Sequence, residues 1–219
     1  MPATQRIIEP SPLALAVLAV LFEHPSHPYD IQRTLRERGK DQVIRFKPAA
    51  VYRMVERLVE AGLVEEVGTD REGKRPERTV YRLTEESPAV VMQWLREMLT
   101  KPAEEYPLFR AAISFLPLLL PDDARVVLEM RVALLDGEIA RLRAFMETAS
   151  RTGFPRLFML EDEQRRAAFE AERAWTQGVV DDLASGRLQW DHESLRQLAA
   201  VGAHPFSPLG DEWRGAQMA

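Results

Sequence analysis

The sequence predicts a mainly α-helical chain with one small β-hairpin, divided into a winged helix-turn-helix domain and an all-α module. Two observations carry this class. Val51, Val55, Leu58 and Val59 recur at helical spacing with Met54 beside them, and two short alternating runs follow around a polar loop containing Gly73. Further on, Leu128, Val132, Leu135, Ile139, Leu142, Met146 and Ala149 keep a 4,3,4,3 spacing, the seam of a helix packed lengthwise on a neighbour.

Each element has its own signal. Ser11-Pro12 opens a first helix as N-cap and first helical residue, and Leu13 to Phe22 is apolar nearly all round. Such a helix is buried either in the core of its own domain or at a dimer interface. His24 to Pro28 is a turn, and Tyr29 to Arg38 is a second helix with Ile31 and Leu35 inward and Gly39 as its stop. The third helix spans Lys47 to Gly62, followed by the runs LVEEVG and TVYRLT. A fourth runs from Ser87-Pro88 to about Thr100, with Val91, Leu95 and Met98 on its inner face. Lys101 to Tyr106 is the candidate linker.

Leu108 to Leu120 is a helix interrupted at Pro117, and Pro121-Asp122-Asp123 opens the long helix of the seam. Thr152-Gly153-Phe154-Pro155 breaks it. A last long helix is expected over about 157–183, with Ala168, Ala171, Trp175, Val179 and Leu183 on one face. The expected domains are therefore 8–100 for the winged helix and 106–190 for the helical module, with 191–219 as a partly ordered tail.

Composition narrows the class. Of 219 residues, 46% are hydrophobic and 29% charged, which is ordinary for a soluble globular protein. No cysteine is present, so disulfides, thiolate metal sites and cysteine nucleophiles are excluded. The longest apolar run, Leu13 to Phe22, is shorter than the roughly 20 residues a membrane span needs. It also lacks the basic flank of a signal peptide, so a cytoplasmic location with no membrane partner is expected. The net charge of −5 is unevenly spread: residues 1–86 hold 14 basic and 14 acidic groups, and the excess acid lies beyond them. Between Arg45 and Arg57 stand Arg45, Lys47, Arg53 and Arg57 against one acid, Glu56. Phosphate recognition depends on such a local face rather than on total charge.

Helix, strand, basic loop, strand is the order of a winged helix, whose third helix enters the DNA major groove while the loop lies on the backbone or minor groove. The motifs resemble those of PadR-like transcriptional regulators. They are His27-Pro28-Tyr29-Asp30-Ile31, Val51-Tyr52-Arg53, Gly62-Leu63-Val64, Lys74-Arg75-Pro76 and Tyr81-Arg82-Leu83-Thr84, in that order. The resemblance continues through Leu108 to Phe115, Glu172 to Trp175 and Gly186 to Trp190, and so covers residues 11 to 190. Several positions depart from the family. Pro28 stands where it usually has Gly, Ser87 where it usually has Gly, and Lys47 and Ala50 where small hydroxyl residues are common. The last two remove a natural N-cap and two phosphate donors, so target sequence does not carry over from relatives.

The resemblance implies a homodimeric, sequence-specific regulator, a repressor on a pseudo-palindromic double-stranded operator, with a small aromatic effector bound in some members. A winged helix used only for protein interaction is the alternative. The expected DNA contacts are Arg45, Lys47, Tyr52, Arg53 and Arg57, with Lys74 and Arg75 in the wing. The plainer reading of these residues is a solvated helix face and a generic charged hairpin tip. Leu128, Val132, Leu135, Ile139, Leu142 and Trp175 are expected at the dimer contact. Trp94, Phe109, Phe115 and Trp175 are the candidate effector pocket, against the plainer reading of ordinary core aromatics. His24, His27, His192 and His204 lack metal-ligand spacing. With no nucleophile–base pair either, neither cofactor nor enzymatic activity is expected.

Overall fold

Ser11 starts the first helix as its spacing predicts. In a computed structural model, which describes residues 8–70, 78–103 and 105–200, the Ser11 hydroxyl accepts the Ala14 N–H at 3.2 Å. Two compact units make up the chain, residues 1–105 and 106–219. Within the first, α1 (Pro12–Glu23) is buried on several sides through Ala14, Ala16, Val17, Leu18, Val20 and Leu21. Of the two readings of this helix, the core of its own unit is the one observed. It packs on α2 (Pro28–Glu37) and α3 (Pro48–Glu60), whose buried residues are Pro28, Ile31, Gln32 and Leu35, and Val51, Met54, Val55 and Leu58.

The end of α3 is set by Gly62. Its N–H donates to Val59 O at 2.9 Å, and Leu63 N–H donates to Leu58 O at 2.9 Å, closing the helix in a Schellman turn. That turn needs a left-handed residue, and Gly62 has φ 72°. The chain then enters a hairpin of β1 (Val64–Asp70) and β2 (Arg78–Leu83), antiparallel, with Val64 opposite Leu83 and Asp70 opposite Arg78. The register shifts between Glu66 and Gly68, leaving Val67 as the extra residue of a bulge. A further pairing is not announced by the sequence. Ser26 N–H donates to Tyr81 O at 2.9 Å, and Tyr81 N–H donates back to Ser26 O at 3.1 Å. The turn before α2 is thereby stitched to the inner strand of the wing.

The fourth helix, α4 (Ser87–Thr100), buries Ser87, Val91 and Trp94, while Leu95 is exposed and Met98 half-buried. The inner face is thus rotated by about one position from the expected one, because Ser87 sets it. This residue, a departure from the family pattern, is fully buried. Its hydroxyl donates to Leu63 O and lies beside Thr84 Oγ1, whose own proton goes to Gly62 O at 2.9 Å. Two hydroxyls thus satisfy the carbonyls just past α3 and hold the start of α4 against them.

In the second unit, α5 (Leu108–Ser114) and a 3-10 turn, Leu116–Leu118, lead into α6 (Pro121–Arg151). A second 3-10 turn, Arg156–Met159, precedes α7 (Leu160–Ala184), and α8 (His192–Ala200) follows. Helices α6 and α7 form an antiparallel hairpin. Ala124 and Leu128 meet Val180 and Leu183 near one end, and Arg165 approaches Glu138 further along at 3.7 Å. Of the seam, Leu128, Val132, Leu135, Ile139, Leu142 and Ala149 are buried as the spacing predicts, and Met146 is half-buried. Burying each large side chain contributes about 1.5–3 kcal/mol.

The face of α7 differs from expectation. Its buried residues are Thr176, Val180 and Leu183, whereas Ala168, Ala171 and Trp175 are not buried. The reason is chemical: the flanks of the hairpin are closed by ion pairs rather than apolar contacts. Arg131 reaches Glu172 at 2.6 Å, Arg173 reaches Asp136 at 2.9 Å, and Arg143 reaches Glu170 at 2.6 Å. Thr176 fits inside because its hydroxyl donates to Glu172 O at 2.8 Å. Among the described residues, no helix is long and apolar enough to cross a membrane.

Candidate nucleic-acid interface

Packing of Val51, Val55 and Leu58 into the core fixes which side of α3 faces outward. Tyr52, Arg53, Glu56 and Arg57 are all exposed on it, and Arg45 and Lys47 are exposed on the segment leading in. Lys47 stands at the N-cap, where its ammonium, a donor with no acceptor, makes no capping bond. Arg53 and Arg57, one turn apart, present two planar donor forks along one edge. Lys74 and Arg75 lie outside the described residues.

Three residues beside this face were not among the expected DNA contacts. His27 caps α2, its Nδ1 accepting the Tyr29 N–H at 3.0 Å. Its ring also meets Tyr52 edge-on, with centroids 5.9 Å apart. Arg78, the first residue of β2 and opposite Asp70 in the pairing, lies over the Tyr29 ring at 5.4 Å. The motif around His27 is visible in the sequence. Its meeting with the wing is not, because that depends on the Ser26–Tyr81 pairing.

Burial holds the His27 imidazole below its usual titration range, Arg78 adds to this, and Asp30 opposes both. The unfolded chain therefore takes up this proton more readily than the folded one. The contribution is complete above the ordinary value of 6.5 and is lost as pH falls below it. A protonated Nδ1 also cannot accept the Tyr29 N–H. Urea unfolding of the wild type and of His27→Asn, which keeps a capping acceptor, checks this. The wild type is expected to lose more stability below pH 6.5, and parallel pH profiles for the two proteins would exclude the coupling.

In unit 2, Phe109 and Phe115 line a cavity of about 270 Å³ with Ile113, Leu116, Leu119, Val127, Leu128 and Arg131. Trp175 meets Phe109 edge-on at 6.0 Å, and the Arg131 guanidinium lies 3.6 Å from the Phe109 ring centre. Trp94 is instead buried in the core of unit 1. The seam residues expected at a dimer contact are also placed differently. Leu128, Val132, Leu135, Ile139 and Leu142 are 2–7% exposed and pack inside the α6–α7 hairpin of one chain. A 4,3,4,3 spacing marks a helix that needs a lengthwise neighbour, and here α7 is that neighbour. Trp175, by contrast, is 50% exposed.

Residues 17–89 match the model of the transcriptional regulator PadR-like family. The chain carries a PadR-like domain. No curated protein matches the chain by sequence. Among solved structures, it is similar to Bacillus subtilis PadR in complex with operator DNA, with TM-score 0.65 and 18% identity over 78% of this chain and 98% of that one. The same protein in complex with p-coumaric acid gives TM-score 0.64 and 16% identity, again over 78% and 98%. A PadR-like transcriptional regulator from Bacillus cereus gives TM-score 0.52 and 17% identity over 80% and 97%. At these identities the likeness concerns the fold. It extends past the PadR-like domain to the helical part.

Proposed function

We propose that the protein is a homodimeric, sequence-specific transcriptional repressor that binds a pseudo-palindromic operator and is released by a small aromatic effector. The observation that carries this is the outer face of α3, where Tyr52, Arg53 and Arg57 stand exposed next to the wing in a fold shared with a protein solved on operator DNA. Arg53 and Arg57 read base edges. Arg45 and Lys47, with Lys74 and Arg75 in the wing, neutralise phosphates.

Dimerisation is supported by unit 2, where an apolar surface adjoins the hairpin seam. Met130 and Leu134 are 62% and 71% exposed, and Phe115 and Leu118 are exposed on the preceding turn. Apolar exposure of this kind marks an interaction surface. An effector is supported by the Phe109–Phe115 cavity, whose mostly apolar lining suits an aromatic ring. The test is selection of bound sequences from a random duplex library. A two-fold symmetric sequence is expected, with half-sites about 34–36 Å apart if both lie on one face. A library that emerges without enrichment removes sequence-specific recognition.

A further inference from the structure

The structure gathers hydrogen-bond donors where the start of α2 meets β2. The Ser26–Tyr81 pairing fixes the start of α2 against β2. His27 and Tyr29 come from that start, Arg78 from β2 and Tyr52 from α3. His27 touches Tyr52, and Arg78 covers the Tyr29 ring. Because His27 Nδ1 is taken by the Tyr29 N–H, the neutral ring carries its proton on Nε2 and offers a donor there. Tyr29 and Tyr52 are 47% and 38% exposed. The group therefore combines an imidazole N–H, two phenol hydroxyls and a permanent guanidinium. Of the acidic residues nearby, Asp30 is held by Arg33 at 3.1 Å, and Asp70 stands opposite Arg78 in the strand pairing.

We infer that His27, Tyr29 and Arg78 hold a backbone phosphodiester of the DNA strand bordering the groove that α3 enters. The inference rests on the DNA-binding reading above. It adds a phosphate grip on residues fixed by the fold, at the start of α2 and the first position of β2, to Lys74 and Arg75, to which the sequence alone points. A guanidinium stacked on an aromatic ring is oriented before binding, so less freedom is lost when the phosphate arrives. The grip carries no sequence information and sets how far α3 descends into the groove.

The test is salt titration of the full chain on a random-sequence duplex and on the selected operator, for the wild type, Arg78→Gln, His27→Asp and Tyr29→Phe. His27→Asp keeps a good capping acceptor but places a negative charge against the phosphate. Tyr29→Phe keeps the ring under Arg78 and removes only the hydroxyl. Arg78→Gln is expected to weaken both duplexes by the same factor and to flatten the salt slope by about 0.9 for each phosphate it no longer neutralises. His27→Asp is expected to weaken both at least about fivefold, with its circular-dichroism melting retained. Tyr29→Phe is expected to weaken both by one equal, smaller factor. Unchanged slope and affinity in Arg78→Gln and Tyr29→Phe, with salt-dependent binding by the wild type, overturns the phosphate grip alone. So does a weakening confined to the operator. A wild type with no salt-dependent binding to either duplex overturns the regulator reading and the grip together.

Discussion

Leu134→Asp and Leu135→Asp, one residue apart on α6, are expected to fail in opposite ways. Leu135 is 7% exposed inside the α6–α7 hairpin. A carboxylate there has no cationic partner within the apolar seam and costs several kcal/mol, enough to unfold a marginally stable unit. Leu134 is 71% exposed, so a charge there leaves the hairpin intact and falls on the surface proposed to meet the second subunit. The expected result is a poorly soluble, non-cooperatively melting Leu135→Asp protein and a folded, monomeric Leu134→Asp protein. Circular-dichroism melting and analytical sedimentation separate the two. A Leu134→Asp protein that remains dimeric at micromolar concentration moves the dimer contact elsewhere. Cooperative melting of Leu135→Asp at the wild-type temperature contradicts the packing of the seam.

Arg53→Ala is expected to weaken operator binding far more than binding to random DNA. A guanidinium can grip O6 and N7 of one guanine with two parallel bonds, worth about 1–3 kcal/mol of discrimination against another base. In a dimer both half-sites feel the change. The comparison variant is Lys47→Ala, whose ammonium at the N-cap position of α3 acts as a point charge. It should weaken both duplexes alike and reduce the salt slope by roughly one unit per phosphate left without its cation. Binding isotherms on the two duplexes at several salt concentrations decide the division of labour. Equal weakening on operator and random DNA for Arg53→Ala excludes base reading by this side chain.

These effects trace back to parts of the chain that are unequally legible in the sequence. Helix α3 is plain from Val51, Val55 and Leu58, and its stop from Gly62, because both depend on local spacing and a left-handed turn. The α6 seam is legible for the same reason, but its partner is not. Periodicity says that a helix needs a neighbour and is silent on which one. The inner face of α7 escapes a reading of apolar spacing because it is built on Thr176 and flanked by arginine–carboxylate pairs, which hydrophobic counting assigns to solvent. The inner face of α4 is displaced by one position from its apolar pattern because Ser87 is polar, yet buried through two hydroxyl interactions. His27, Tyr29 and Arg78 meet only through the main-chain pairing of Ser26 with Tyr81, which brings distant stretches of chain together. No side-chain pattern announces that pairing.

The hydroxyl clasp between Ser87, Thr84 and the carbonyls of Gly62 and Leu63 has a mechanical consequence. It makes the far end of α3, the exit of the hairpin and the first turn of α4 a single rigid joint. Rotation of α4 about its own axis would strip Ser87 from Leu63 and leave a buried hydroxyl unpaired, at a cost of about 1–3 kcal/mol. A torque applied to α4 from its C-terminal end is therefore not absorbed at this joint. It is delivered as a rigid tilt of the wing and the recognition helix together, and the moving part behaves as a lever rather than a spring.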